Sequence, residues 1–224
     1  MAIAPTLLLA NETTTDGTSA TTASYTPGAN KLITADIVTC KIGGGDTPTL
    51  SGNGLTWVQV ATQVGIIYRR ITRFRAMGAS PSTGALTIDC AGVTQDSFAW
   101  SITEWDGIDT GGTNGSAAVV QSATGSGSGT TGTVTLAAFG SANNAAFGGF
   151  VHGANDATTP ESGYTELSDR GYSDGGTDTA LETEWVAGED TSVTATWPLG
   201  VTWAGVAIEI KAAAPAFAPR VMMF

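Results

Sequence analysis

The sequence predicts an all-β protein: an antiparallel β-sandwich of jelly-roll type with extended N- and C-terminal arms. Three observations lead there. Charged residues make up only 13% of the 224 residues while glycine numbers 30, a composition far from that of coiled coils, helical repeats or charge-rich disordered tails. Short runs alternate apolar and polar residues with period two. No window repeats apolar residues at helical spacing over three turns, so a parallel sheet would lack its crossover helices. The length supports one sizeable core. We read a single β-sandwich domain over 31–211, preceded by an N-terminal strand and polar arm over 1–30 and followed by an apolar, proline-containing arm over 212–224.

In chain order, the alternating runs rich in β-branched and aromatic residues are 32–42, 55–62, 66–76, 85–90, 98–106, 117–123, 131–138, 145–151, 179–186, 192–197 and 201–211. Turn chemistry separates them: Gly43-Gly44-Gly45-Asp46, Ser51-Gly52-Asn53-Gly54, the stretch 78–84, and Asp174-Gly175-Gly176. The Gly/Ser/Thr tract 123–132 reads as a flexible loop or long hairpin connection. Cys40 and Cys90 each share a strand face with aliphatics, so they read as buried thiols or, alternatively, as one cross-strand disulfide. The first thirteen residues place no basic residue before Leu7-Leu8-Leu9, which is not the pattern of an export signal. No stretch reaches the ~20 apolar residues that span a bilayer.

Charge narrows the partners. Twenty acids against nine bases give a formal net charge of -11, a field of the wrong sign for nucleic acid and for anionic membranes. Four of the nine bases crowd into Tyr68-Arg69-Arg70-Ile71-Thr72-Arg73-Phe74-Arg75. On a strand, Arg69, Arg73 and Arg75 share one face with Ile71, and Arg70 lies on the other. One reading is a cationic docking stripe for the segment 156–190, which holds ten acids against Arg170 alone, on a second copy or an acidic neighbour. The other is salt bridging within the chain. The tail supplies a second candidate contact, Phe217, Arg220, Met222, Met223 and Phe224, whose neighbouring prolines favour an extended path along a second molecule or back over its own sandwich.

Catalytic signals are sparse. The lone His152 has no nucleophile elbow or cysteine partner nearby, and Glu104 is the best single acid but lacks a paired carboxylate. We therefore expect no enzyme, no catalytic residue, no metal site and no cofactor. Calcium is the one ion with a candidate, at 106–115 or 169–178, and neither loop fits the EF-hand ladder. Trp57, Trp100, Trp197 and Trp203 sit in alternating runs and read as core, leaving Trp185 as the exposed tryptophan.

Residues 50–60 (Leu-Ser-Gly-Asn-Gly-Leu-Thr-Trp-Val-Gln-Val), then 69–76, 84–88 and 100–107, resemble a pattern in small β-sandwich structural proteins of tailed bacteriophages and prophages. In that pattern a Gly-Leu-Thr-Trp strand precedes an aromatic-basic strand ending in Ala and, later, a strand ending in an acidic turn. The resemblance spans roughly 30–110 and transfers no functional residue. It implies a jelly-roll-like virion protein of the capsid-decoration or head-fibre kind, made in the host cytoplasm and assembling with copies of itself and with a major capsid or other virion protein. The alternative is a carbohydrate-binding adhesin or extracellular filament subunit, with a glycan held by Trp185, Tyr164 and Tyr172.

Overall fold

The computed structural model describes residues 2–65, 67–175 and 177–214. Among them fourteen strands follow in order: β1 (Ala4–Thr13), β2 (Ser19–Thr21), β3 (Leu32–Cys40), β4 (Thr49–Gly52), β5 (Val58–Val64), β6 (Arg69–Ala76), β7 (Leu86–Asp89), β8 (Ser97–Asp106), β9 (Val119–Thr135), β10 (Ala145–His152), β11 (Thr159–Pro160), β12 (Thr165–Asp174), β13 (Thr177–Ala187) and β14 (Ser192–Ile210). All pair antiparallel. The only described helical turn is the 3-10 piece Ser116–Ala118, and no described helix is long and apolar enough to cross a membrane.

The sheets stack in three layers. A central sheet, β1-β8-β3-β6-β5, faces a second sheet ordered β12-β13-β10-β14 with β9 on its far side, and carries the small sheet β2-β7-β4 on its other face. Side-chain alternation sorts residues between the two interiors. Ile33, Ala35, Ile37, Phe98, Trp100 and Ile102 pack with Leu86 and Ile88 of the small sheet. The intervening positions face the second sheet, where Leu32 and Trp105 meet Phe147, Ile208 and Ile210, and Val38, Cys40 and Ile71 meet Val151, Leu181 and Val206. A strand buried on both faces has no solvent side, and every residue of β3 is buried, its polar ones included.

The sandwich is as expected, but its connectivity does not interleave the strands of a jelly roll between the facing sheets. All strands up to β8 belong to the central and small sheets, and all from β9 onward to the second. The polar stretch expected as an N-terminal arm lies on the body: β1 pairs with β8, β2 pairs with β7, and Tyr25 bridges Gly84. Both cysteines are free and buried. They sit on opposite faces of the central sheet, Cys40 toward the second sheet and Cys90 toward the small one, which removes the disulfide alternative.

The tract 123–132 is strand, not loop. It lies within β9, which pairs with β14 along its length and bends with it where the register shifts between Thr196 and Val201. The bend folds the ribbon over the second sheet's outer face, gathering Val134, Val193, Trp197 and Trp203 against Phe150. Glycines make room for the Trp203 indole: a Cβ on Gly127 would lie 3.0 Å from its Nε1, and one on Gly132 would lie 3.0 Å from its Cδ2 and 2.9 Å from Trp197 Cη2. Such contacts force a shift in a packed core. Gly132→Ala should therefore lower stability by about 1–3 kcal/mol in urea unfolding, whereas Gly200→Ala, with open space at its Cβ, should change it by less than about 0.5 kcal/mol.

Candidate functional site

The arginine-rich strand is β6, between β3 and β5. Its Ile71 face turns toward the second sheet, so the expected docking stripe lies largely inside the sandwich. Arg73 is wholly buried: Nε donates to Asp36 Oδ1 at 2.8 Å, Nη1 donates to the Phe147 carbonyl at 2.7 Å, and the guanidinium lies 3.8 Å from the Phe147 ring centroid. Gly149 permits this, because a Cβ there would come 2.8 Å from Arg73 Nη2 and 3.0 Å from Asp36 Oδ1. Arg69 is also buried, donating through Nε to Thr179 Oγ1 at 2.9 Å and through Nη2 to the Asp178 carbonyl. Neither arginine is free to meet a partner, which corrects the docking reading for both.

Arg70 is half-buried and donates to the Gly45 carbonyl at 2.6 Å and to Thr62 Oγ1 at 3.1 Å. Arg75 is half-buried with no partner on Nε, and burial lowers its pKa. The tail residues Phe217, Arg220, Met222, Met223 and Phe224 lie outside the described residues.

Burial raises the Asp36 pKa despite the attraction of Arg73, and lowers that of Arg73 despite Asp36. Desolvation of both charges is thus the larger force, and the pair is tolerated only while both members are present. Arg73→Met or Asp36→Leu alone should cost about 3–5 kcal/mol in urea unfolding, and the double variant should recover most of that loss.

The acid-rich segment is also folded inward. The register places Glu166 beside Glu184 and Asp169 beside Glu182 on the outer face of the β12–β13 hairpin. Residues 153–164 cross this face as a strap. Its Thr158 N–H donates to Asp169 Oδ2 at 2.9 Å, its Glu161 N–H donates to Glu184 Oε2 at 3.2 Å, and β11 pairs with β14. Glu182 and Glu184 are fully buried, and neither Glu182 oxygen has a hydrogen-bond partner. No three His, Cys, Asp or Glu side chains among the described residues are arranged to hold a metal ion.

Burial favours the protonated forms of Glu182 and Glu184. Burial, then repulsion from Glu184, Asp169 and Glu166, holds the Glu182 pKa well above the ordinary carboxylate range, and burial pushes Glu184 up to about 8. The buried His152 stacks on Trp197 at 4.6 Å and shares a 2.9 Å hydrogen bond with Thr158 Oγ1. Burial and then Arg69 push its pKa down to about 4.

The two effects oppose each other along the pH axis. Between 4.5 and about 8 the folded protein keeps the Glu184 proton that the unfolded chain has released, so stability falls as pH rises through the upper value. His152 adds stability as pH rises from about 4 to 6.5 and nothing more above that. From pH 7 to 9 His152 no longer contributes, and the loss comes from the acids, with a part of the same sign near pH 9 from the buried Cys90 thiol, whose pKa burial pushes up to about 11. The native protein should lose on the order of 1 kcal/mol from Glu184 across that interval, and Glu184→Gln should flatten the fall in urea titrations at the two pH values.

Other candidate residues find structural partners. Glu104 accepts the Gly28 N–H, Asp106 pairs with Lys31, and Asp109 pairs with Lys211 at 2.9 Å. Trp185 packs edge-on against Trp105 at 6.1 Å, and Tyr172 is buried with its hydroxyl 3.3 Å from Ser97 Oγ. An exposed aromatic platform of Trp185, Tyr164 and Tyr172 is therefore not formed, because Trp185 and Tyr172 fill the space between the facing sheets and Tyr164 packs into the cluster beneath the folded ribbon.

Two grooves of about 410 and 460 Å³ flank Ala212 and Ala213, which line both. Ala213 is anchored by its N–H to the Gly107 carbonyl at 2.8 Å, and Ala212 by its N–H to Asn144 Oδ1 at 3.1 Å. Asn144 in turn donates to the buried Glu209, which also accepts from Gln121 Nε2 at 2.7 Å. Small residues, among them Ala117, Val120, Ala142 and Ala187, make up most of the walls, with Glu209 and Lys211 also lining the first groove and Ile3 the second. Nothing in the sequence distinguishes these alanines from others, so the grooves had no signal before the fold was known. Compared with protein-family models, with curated proteins and with solved structures, the chain finds no match.

Proposed function

We propose that the protein is a non-enzymatic structural subunit of a virion, of the capsid-decoration or head-accessory kind, assembling through edge-strand and arm contacts with copies of itself and with a capsid protein. The observation that carries this reading is the edge formed by β9. This strand of 17 residues pairs only with β14. Between the two register shifts of its ladder, from Gln121 to Gly129, it pairs without interruption, a longer unbroken run than on the edge strands β1, β5 and β12. Bulges blunt an edge, whereas a long regular edge offers main-chain donors and acceptors to another strand.

The exposed residues along it, Ser122, Thr124, Ser126 and Ser128, are small and polar, suited to close approach of a second backbone, and within the chain β5 touches this stretch through Gln63, whose Nε2 donates to Ser126 Oγ at 3.1 Å. The resemblance over 30–110 supports the virion assignment, and the acidic charge fits a protein surface rather than nucleic acid as partner.

Light scattering should find a discrete oligomer for the native protein and a monomer for Ser122→Lys/Ser128→Lys; a native monomer at high concentration would sink the assembly reading. Immunogold labelling of particles purified from cells expressing the chain should place gold on the particles, and label confined to the soluble fraction would sink the virion reading.

A further inference from the structure

We propose that the two grooves beside Ala212 and Ala213 receive residues 215–224 of a second copy, so that subunits are joined by reciprocal exchange of their C-terminal segments; this rests on the reading of the protein as self-assembling.

Place, chemistry and length support one occupant. The grooves lie on either side of the last described residues, and Asn143, Ala212 and Ala213 line both, so they form one broken trough across the chain's exit. Small side chains make up most of their walls, with Glu209 and Lys211 also lining the first and Ile3 the second, and Val120 is 50% exposed, an apolar group left without cover at the start of its strand. The ten residues that follow Ala214 are Pro-Ala-Phe-Ala-Pro-Arg-Val-Met-Met-Phe, with Phe217, Val221, Met222, Met223 and Phe224 as large apolar groups and Arg220 as the only charged side chain. Phenylalanine and methionine fill irregular apolar pockets well, and each groove falls in the ~300–1,000 Å³ range of pockets that hold ligands of several heavy groups. The Asn143 amide, at the meeting of the grooves, can bond a passing main chain. Exposed Glu189, next to Gly188 on the second groove, offers a counter-charge for Arg220.

Length fits a second copy. Pro215 and Pro219 each fix φ and lack an N–H, which favours an extended path over a helix. Ten extended residues reach ~30 Å, enough to cross to a neighbour.

The test uses the full chain, a chain ending at Ala214, which retains every described strand and core cluster, and full-length Asn143→Trp, whose exposed side chain would grow into both grooves. A fluorescent peptide of sequence 215–224 is the probe. The expected result is an oligomeric full chain, monomers for the other two forms, and saturable peptide binding to the chain ending at Ala214. Asn143→Trp introduced into that shortened chain should weaken peptide binding at least tenfold, with its thermal unfolding unchanged. An oligomer that survives loss of 215–224 would overturn the exchange while leaving assembly through β9 intact. A monomeric full chain that excludes the peptide, beside a shortened chain that binds it, would show the segment in its own grooves and overturn the exchange together with self-assembly. Absence of peptide binding to the shortened chain would overturn the groove assignment.

Discussion

One ion pair sets the relation between the two facing sheets. Arg73 and Asp36 stand on neighbouring strands of the central sheet, and the same guanidinium donates to the main-chain carbonyl of Phe147 in the second sheet. A buried guanidinium has directional demands that aliphatic contacts lack, so it selects one register of sheet on sheet. Much around it accommodates that demand. Gly149 leaves out the atom that would collide with the pair, and Phe147 turns its ring face toward the cation. Desolvation makes this arrangement costly in energy, and what it contributes is a single answer among alignments that greasy surfaces would accept almost equally.

Much of the strand pattern was legible. The runs 32–42, 98–106, 145–151 and 201–211 show period-two alternation and fall in β3, β8, β10 and β14. The class followed from local chemistry, since alternation and turn residues act over a few positions. The third layer was not legible, because a strand buried on both faces looks in sequence like one buried on one face, and nothing in the run 32–42 marks Asp36 and Thr34 as buried. The same limit misplaced Arg69 and Arg73. Their charge suggested water, and only the opposing sheet, with Asp178, Thr179 and Phe147, supplies the acceptors that take them inside.

Glycine misled in the opposite direction. In 123–132 it suggested freedom, yet alternate glycines there are the floor on which Trp203 lies, a role visible only once a residue some seventy positions later is brought alongside. The strap over Glu182 and Glu184 belongs to the same class of long-range effect. Acids that look solvated in sequence become buried acids because residues 153–164 return across them.

The division of the chain between facing sheets has a consequence for the order in which the molecule is made. By the time Asp106 has left the ribosome, every strand of the central and small sheets exists, together with the whole apolar cluster between them. That half can condense on its own contacts, but it presents to water a face carrying Glu12, Asp36, Arg69, Arg73 and Arg75 among its aliphatics. Charged groups on that face disfavour adhesion of a nascent sheet to another like it. The residues that later align the two sheets thus serve first as the solubilising skin of an unfinished protein, and they change from hydrated to sealed when β10 arrives.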